Sequence, residues 1–288
     1  MFFYLIATLQ MACSSSESTQ NHPENPTTNI PNREPIESQN ILRLGIVPQQ
    51  SPTDIKASWS HFANYIEEHS DLTVKIKTAS NIPEFEKRCQ EGAYDIAYMN
   101  PYHYVMFHDS AGYQAIAKQQ DKVIKGIIVV HKDSTFTKLE DLQNMNGAFP
   151  SPLAFAASLL TRSEFQQRDI NIHPTYVRTH DSVYMNVANG NYPMGGGIQR
   201  TFELMDQNIQ DQLRILWITP PYTSHAIAVS PTMSKENIEK LQKIMLDINS
   251  LDNKDAILSP INFKGFELAK DEDWNDIRAL HLEALDQQ

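Results

Sequence analysis

Hydrophobic positions along this chain recur with two periods, and the switching between them predicts its elements. Ile41-Leu42-Arg43-Leu44-Gly45-Ile46-Val47 alternates and then runs apolar into Pro48, as a buried first strand does. Ser51-Pro52-Thr53-Asp54 offers helix caps, and Trp59, Phe62, Ala63, Tyr65 and Ile66 then form a helical apolar face. The same reading predicts strands at 73–78, 94–99, 126–132, 147–149, 172–177, 213–219 and 226–230. Helices are predicted at 82–90, from 101 to at least 108, at 139–142, 152–167, 182–188, 235–249 and 274–285. Strands and helices that alternate in this way argue for an α/β fold with mostly parallel sheets.

Two stretches about a hundred residues apart say nearly the same thing. The first is Glu91-Gly92-Ala93-Tyr94-Asp95-Ile96-Ala97-Tyr98-Met99-Asn100-Pro101, and the second is Asn189-Gly190-Asn191-Tyr192-Pro193-Met194-Gly195-Gly196-Gly197. Each follows a helical run, passes a Gly suited to the left-handed residue after a helix, makes a short apolar strand and stops at turn formers. Ligands of open α/β sheets sit beyond the carboxyl ends of strands. Two such units facing one another therefore predict a cleft with a binding loop on each wall. The glycines at 195–197 read either as permitting close backbone approach to a ligand or as a flexible turn.

The composition, 41% hydrophobic and 20% charged over 288 residues, is globular and sufficient for one large domain or two medium ones. A formal net charge of −11 argues against nucleic acid as a partner, because that binding needs a basic face. A small anion remains possible, since a few N–H groups and one or two cations set a local field of opposite sign. None of the ten histidines lies in a metal-binding or protease spacing, and no nucleophile elbow or phosphate loop appears. No enzyme activity and no cofactor are expected.

Residues 1–12 are short and apolar and end at Ala12-Cys13, after which residues 14–40 are rich in Ser, Thr, Asn, Pro and Glu. The pattern predicts a lipoprotein-type signal segment over 1–13 with Cys13 as the lipidated residue, then a disordered tether over 14–40. An uncleaved N-terminal segment is the other reading. Cys89, the second of two cysteines, would then lack a partner and reads as a packing thiol on a helix.

Four motifs, taken in order, resemble the type II periplasmic binding proteins of ABC importers, within them the phosphate, phosphite and phosphonate group. They are Ile46-Val47-Pro48 with Trp59, Gly92-x-Tyr-Asp-Ile-Ala-Tyr, Leu139-Glu-Asp-Leu before Asn146-Gly-Ala-Phe-Pro, and His180-Asp-Ser-Val-Tyr leading to Gly190. The resemblance implies a two-lobed fold of two mostly parallel sheets flanked by helices, with two hinge crossovers. It puts lobe 1 at 41–125 plus 234–288 and lobe 2 at 126–233. It implies a monomeric extracytoplasmic protein, periplasmic or at the cell surface, that closes on a small anionic ligand and docks on an ABC permease. A ligand-sensing lipoprotein of the same fold that signals to a membrane partner is the alternative.

In that family the anion lies on free N–H groups at a helix N-terminus. The matching stretch, 149–157, offers Leu153, Ala154 and Phe155 where phosphonate binders keep a run of hydroxyls, and Ser151 alone is left nearby as a candidate cap. His180 matches a family histidine that donates to the oxyanion, with Ser182 and Tyr184 beside it; a core role is the rival reading. Acids that hold a ligand amine in aminoethylphosphonate binders are replaced by Gln199 or Arg200 and by His225, which favours a compact anion over an amine. Arg200 in a surface ion pair is the competing reading. Tyr98, Asn100 and Tyr102 follow the first repeat strand and read as cleft lining or core, and Gln49 lies on the loop expected at the other edge.

Overall fold

A computed structural model describes residues 41–282. The expected signal segment, the expected tether and the expected lipidation of Cys13 lie outside these residues, as does the end of the helix expected at 274–285. The chain begins with β1 (Ile41–Ile46), α1 (Pro52–Glu68), β2 (Thr73–Thr78), α2 (Ile82–Gln90), β3 (Ile96–Met99) and α3 (Pro101–Ala111). Ser51, Asn81 and Asn100 cap the three helices by accepting first-turn N–H groups at 3.2, 2.9 and 2.7 Å, which satisfies donors the helices leave open. β4 (Gln114–Gln119) follows, a strand that the hydrophobic pattern does not single out. The chain then crosses through β5 (Val123–Ile124) into β6 (Gly126–His131).

The second lobe continues with β7 (Met145–Phe149), α4 (Thr161–Gln167), β8 (Ile172–Tyr176), α5 (His180–Ala188), β9 (Met194–Ile198), α6 (Gln199–Glu203), α7 (Gln207–Gln210) and β10 (Leu213–Ile218). The chain returns through β11 (Tyr222–Thr223) to β12 (Ala226–Val229), and α8 (Lys235–Ile248), α9 (Asp255–Leu258), β13 (Phe266–Leu268) and α10 (Asn275–Arg278) complete it. The two crossovers pair with each other, Tyr222 opposite Ile124 and Thr223 opposite Val123.

One sheet has the order β13-β4-β12-β3-β1-β2 and the other β10-β6-β9-β7-β8. Each contains a parallel trio, β2-β1-β3 or β8-β7-β9, bordered by an antiparallel strand that arrives from the other lobe. β3 and β9, the strands of the sequence near-repeat, occupy equivalent places. The expected second lobe of 126–233 runs too far: its sheet ends with β10, and Ala226–Val229 lies between β3 and β4 of the first sheet. Local pattern could not reveal this, because a buried antiparallel strand reads alike in either sheet. Residues 152–154 are also not helical; a π-type turn, Phe155–Leu160, precedes α4. At the C-terminal end a 3-10 turn, Asp271–Trp274, and the four residues of α10 replace the long helix. Among the described residues no helix is long and apolar enough to cross a membrane.

The second sheet buries both faces. Ile127 and Val129 of β6 join one apolar cluster with Val183 and Tyr184, while Ile128 and Val130 join another with Phe149 and Phe165. Neither reading of the triple glycine survives, since it forms the buried centre of β9. A Cβ at Gly196 would lie 2.1 Å from the Ala157 carbonyl oxygen, and one at Gly195 would lie 2.5 Å from Val183. The glycines admit protein from both faces, which is why the strand tolerates no side chain there.

Candidate functional site

The carboxyl ends of β1, β3 and β7, with the start of α5 after β8 and the residue before β12, bring Gln49, Asn100, Ala154, Phe155, His180 and His225 around one void of about 10 Å³, at the limit for a single water. Protein fills the rest. The Asn100 amide donates to the Leu153 carbonyl at 3.2 Å, joining the lobes directly. Phe155 is buried and meets Tyr222 edge-on at 6.1 Å, and the turn it begins packs into the core of the first lobe. The expected cradle is therefore assembled but shut.

His180 begins α5 and is 2% exposed, with no hydrogen-bond partner for Nδ1. Burial pushes its imidazole down to about 4, so it is neutral at pH 7. Its two sequence neighbours have other work. Ser182 Oγ accepts from Thr179 Oγ1 at 2.7 Å in the helix cap. Tyr184 is fully buried beneath β9, where its hydroxyl contacts the Ile198 carbonyl and N–H at 3.0 and 3.1 Å and Thr201 Oγ1 at 2.7 Å. That phenol is a structural clamp, and desolvation raises its pKa. Tyr102 is likewise a core residue, and Ser151 is buried with no partner for its Oγ; Ser182, Tyr184, Tyr102 and Ser151 line neither the void nor the larger chamber beside it.

That chamber has a volume of about 310 Å³ and shares Gln49, Ile124, Ile198 and His225 with the void. Gln199 and Arg200 line it from the second lobe, the segment around β5 from the crossover, and Asn262 and Lys264 from the first lobe. The Gln49 amide nitrogen lies 3.0 Å from His225 Nε2, which accepts its proton because burial, and next Arg200, depress that imidazole to about 3. Tyr98 stacks on His225 with centroids 4.9 Å apart, and burial pushes its phenol up to about 12 against the opposing pull of Arg200. The Gln199 amide donates to Glu203 at 2.8 Å. Arg200 reaches across the lobes to donate to the Ile261 carbonyl at 3.0 Å, while its Nε has no partner. Among the described residues Arg200 has no partner for the surface ion pair considered above.

Lys122, Lys125 and Lys264 join Arg200 on the chamber wall, and the sequence reading missed all three. Among the described residues none of the four forms an ion pair, although Asp121 and Glu203 also line the space. Burial, then Arg200, lowers the Lys122 pKa; Lys264 adds to this and Glu203 opposes it. Residues 119–125 carry none of the motifs singled out in the sequence, and the pairing of the two crossovers is what places them on a cavity.

Residues 44–274 match the model of the periplasmic substrate-binding proteins of phosphonate ABC transporters. Among solved structures, PhnD1 from Prochlorococcus marinus in complex with methylphosphonate superposes with a TM-score of 0.77 at 18% identity, over 85% of this chain and 98% of that one. A binding protein component of an ABC phosphonate transporter from Pseudomonas aeruginosa gives 0.76 at 17%, over 86% of each chain. XAC2383 from Xanthomonas citri bound to ATP gives 0.69 at 14%, over 86% of this chain and 97% of that one. At these identities the superpositions establish the two-lobed type II fold.

Proposed function

The chain belongs to the periplasmic substrate-binding proteins of phosphonate ABC transporters, and from that membership we propose that it captures a small oxyanion of the phosphate or phosphonate kind between its lobes and delivers it to a membrane permease. It acts as a binding protein, outside the cytoplasm, held to the membrane through lipid on Cys13. One observation carries the anion reading: four cations that form no ion pair among the described residues face the same interlobe chamber. The walls belong to both lobes and to the crossovers between them. An anion seated there touches all three, so it binds the closed arrangement more tightly than an open one and shifts the hinge equilibrium by that difference. Neutral His225 lines the same chamber without adding charge.

A thermal-shift panel of phosphate, phosphite, methylphosphonate, sulfate and small carboxylates tests the reading. A ligand at a hundred times its Kd adds about 2.7 kcal/mol of stability. At least one of these anions should raise the melting temperature, and Arg200→Ala should weaken its binding tenfold or more. A panel without any shift would remove the anion reading.

A further inference from the structure

We infer that the ligand is an anion with two acidic groups, a phosphonate or phosphate that carries a second acid, and that it binds in the chamber beside the crossovers and not in the closed cradle. This deepens the reading above and rests on it.

Space is the first reason. The cradle around Ala154, Phe155 and His180 keeps about 10 Å³, against about 310 Å³ in the chamber. Phe155 is wedged into the first lobe's core and Asn100 is bonded to Leu153, so admitting even a compact tetrahedral group there means breaking the interlobe seam. The chamber lies at the lower end of the ~300–1,000 Å³ typical of pockets for organic ligands. A lone methylphosphonate would leave most of it to water.

Charge is the second reason. Lys122, Lys125, Arg200 and Lys264 outnumber Asp121 and Glu203 on its wall, which leaves two positive charges to be offset. Arg200 and Lys264 both depress the Lys122 pKa, so these cations repel one another within a partly desolvated space. A single phosphate or phosphonate head carries about −1.5 to −2 near neutral pH and relieves most of that repulsion, whereas a second acid holds the charge at −2 or more and relieves it fully. Open hydrogen-bonding capacity is the third reason. Ser224 Oγ, on a residue 3% exposed, and Arg200 Nε are both without partners, and both residues line the chamber. Burial of such groups is costly unless something bonds to them. Arg200 comes from the second lobe, whereas Lys264 comes from the first and Lys122 from the crossover, so the cations stand on three walls and a ligand with two acids can pair with more than one of them at once.

Titration calorimetry at fixed ionic strength tests this with phosphonoacetate, methylphosphonate and inorganic phosphate as probes, on the unaltered protein and on Lys122→Gln and Lys264→Gln. Neither lysine is in the core, and matching circular dichroism establishes that the variants fold. Phosphonoacetate should bind at least tenfold more tightly than methylphosphonate. Each variant should weaken phosphonoacetate about tenfold and methylphosphonate less than twofold. Equal affinity for both phosphonates, or equal losses on mutation, overturns the two-acid inference and leaves the anion-binding reading standing. Absence of binding by all three probes, with no shift in the wider panel, defeats both.

Discussion

Gly196→Ala separates two views of the triple glycine by the sign of its effect on stability. Gly196 does not have a positive φ, so an alanine fits its backbone. If the glycines formed a flexible turn, the substitution would reduce the freedom of the unfolded chain and stabilise the protein by about 0.4–1 kcal/mol. The structure predicts the opposite. The new Cβ would stand 2.1 Å from the Ala157 carbonyl oxygen and 2.5 Å from the Phe149 ring, whereas ordinary contact begins at 3.4 Å. Neither neighbour can yield cheaply. Phe149 is wholly buried, and the Ala157 carbonyl also accepts the Thr161 hydroxyl at 2.7 Å. Moving the π-type turn by more than an ångström opens gaps on both sides of β9, so the cost lies at the upper end of overpacking, about 3 kcal/mol. For a protein of this size that is a fall of roughly 6–12 °C in melting temperature. Urea unfolding followed by circular dichroism measures it. As a control, Gly190→Ala, at φ +73 with nothing within 4 Å of the new Cβ, should lose only about 1 kcal/mol. A Gly196→Ala protein as stable as its parent would refute the packing of β9 described above.

Acid should weaken the fold through two histidines. His180 and His225 are neutral in the native state, with pKa values pushed down to about 4 and about 3, whereas the unfolded chain takes up these protons near pH 6.5. Their contribution is therefore complete above about pH 6.5 and declines as the pH falls toward those native values, at about 1.4 kcal/mol per unit for each. Urea midpoints at pH 7.5, 6.0 and 5.5 report it, and a flat profile contradicts the burial of these imidazoles. Cys89 is fully buried, and desolvation holds its thiol well above the ordinary value, so a thiol reagent should react with it only at the rate of unfolding; rapid modification of the native protein would show the site to be open. Asp95→Asn should cost about 3 kcal/mol in urea, because the fully buried carboxylate accepts from the Arg43 backbone N–H at 2.8 Å and from its guanidinium at 2.7 Å. The lower end of the range applies because Arg43 keeps 27% of its side chain exposed. A loss below 1 kcal/mol would mean that the pair contributes little.

How much of the molecule was legible beforehand follows from how local each determinant is. Helix α1 announced itself, because its N-cap, Ser51, directly precedes a run of seventeen residues, Pro52–Glu68, that carries its whole apolar face. The near-repeat around Gly92 and Gly190 pointed to equivalent strands, since a helix end followed by a short buried strand leaves a local trace in both copies. β12 was placed in the wrong lobe because its sheet is chosen by long-range pairing with β3 and β4, which four apolar residues cannot encode by themselves. The site divided along the same line. Arg200 and His225 stood out because each departs from a family position, and both reach the interlobe space. Lys122, Lys125 and Lys264 depart from nothing recognisable, and their joint field exists only where β5 pairs with β11 and the segment before β13 folds over it. Tyr184 failed in the other direction. Register beside His180 suggested a ligand contact, and positions four apart do share a helix face, but Tyr184 stands about one turn, roughly 6 Å, further along the axis, so His180 at the first turn lines the void while Tyr184 lies under β9. The missing hydroxyl run at 153–155 has a consequence that sequence alone could not supply: Phe155 converts a cradle into part of the lobe seam, and the unpaired charge left between the lobes stands in the chamber next to it.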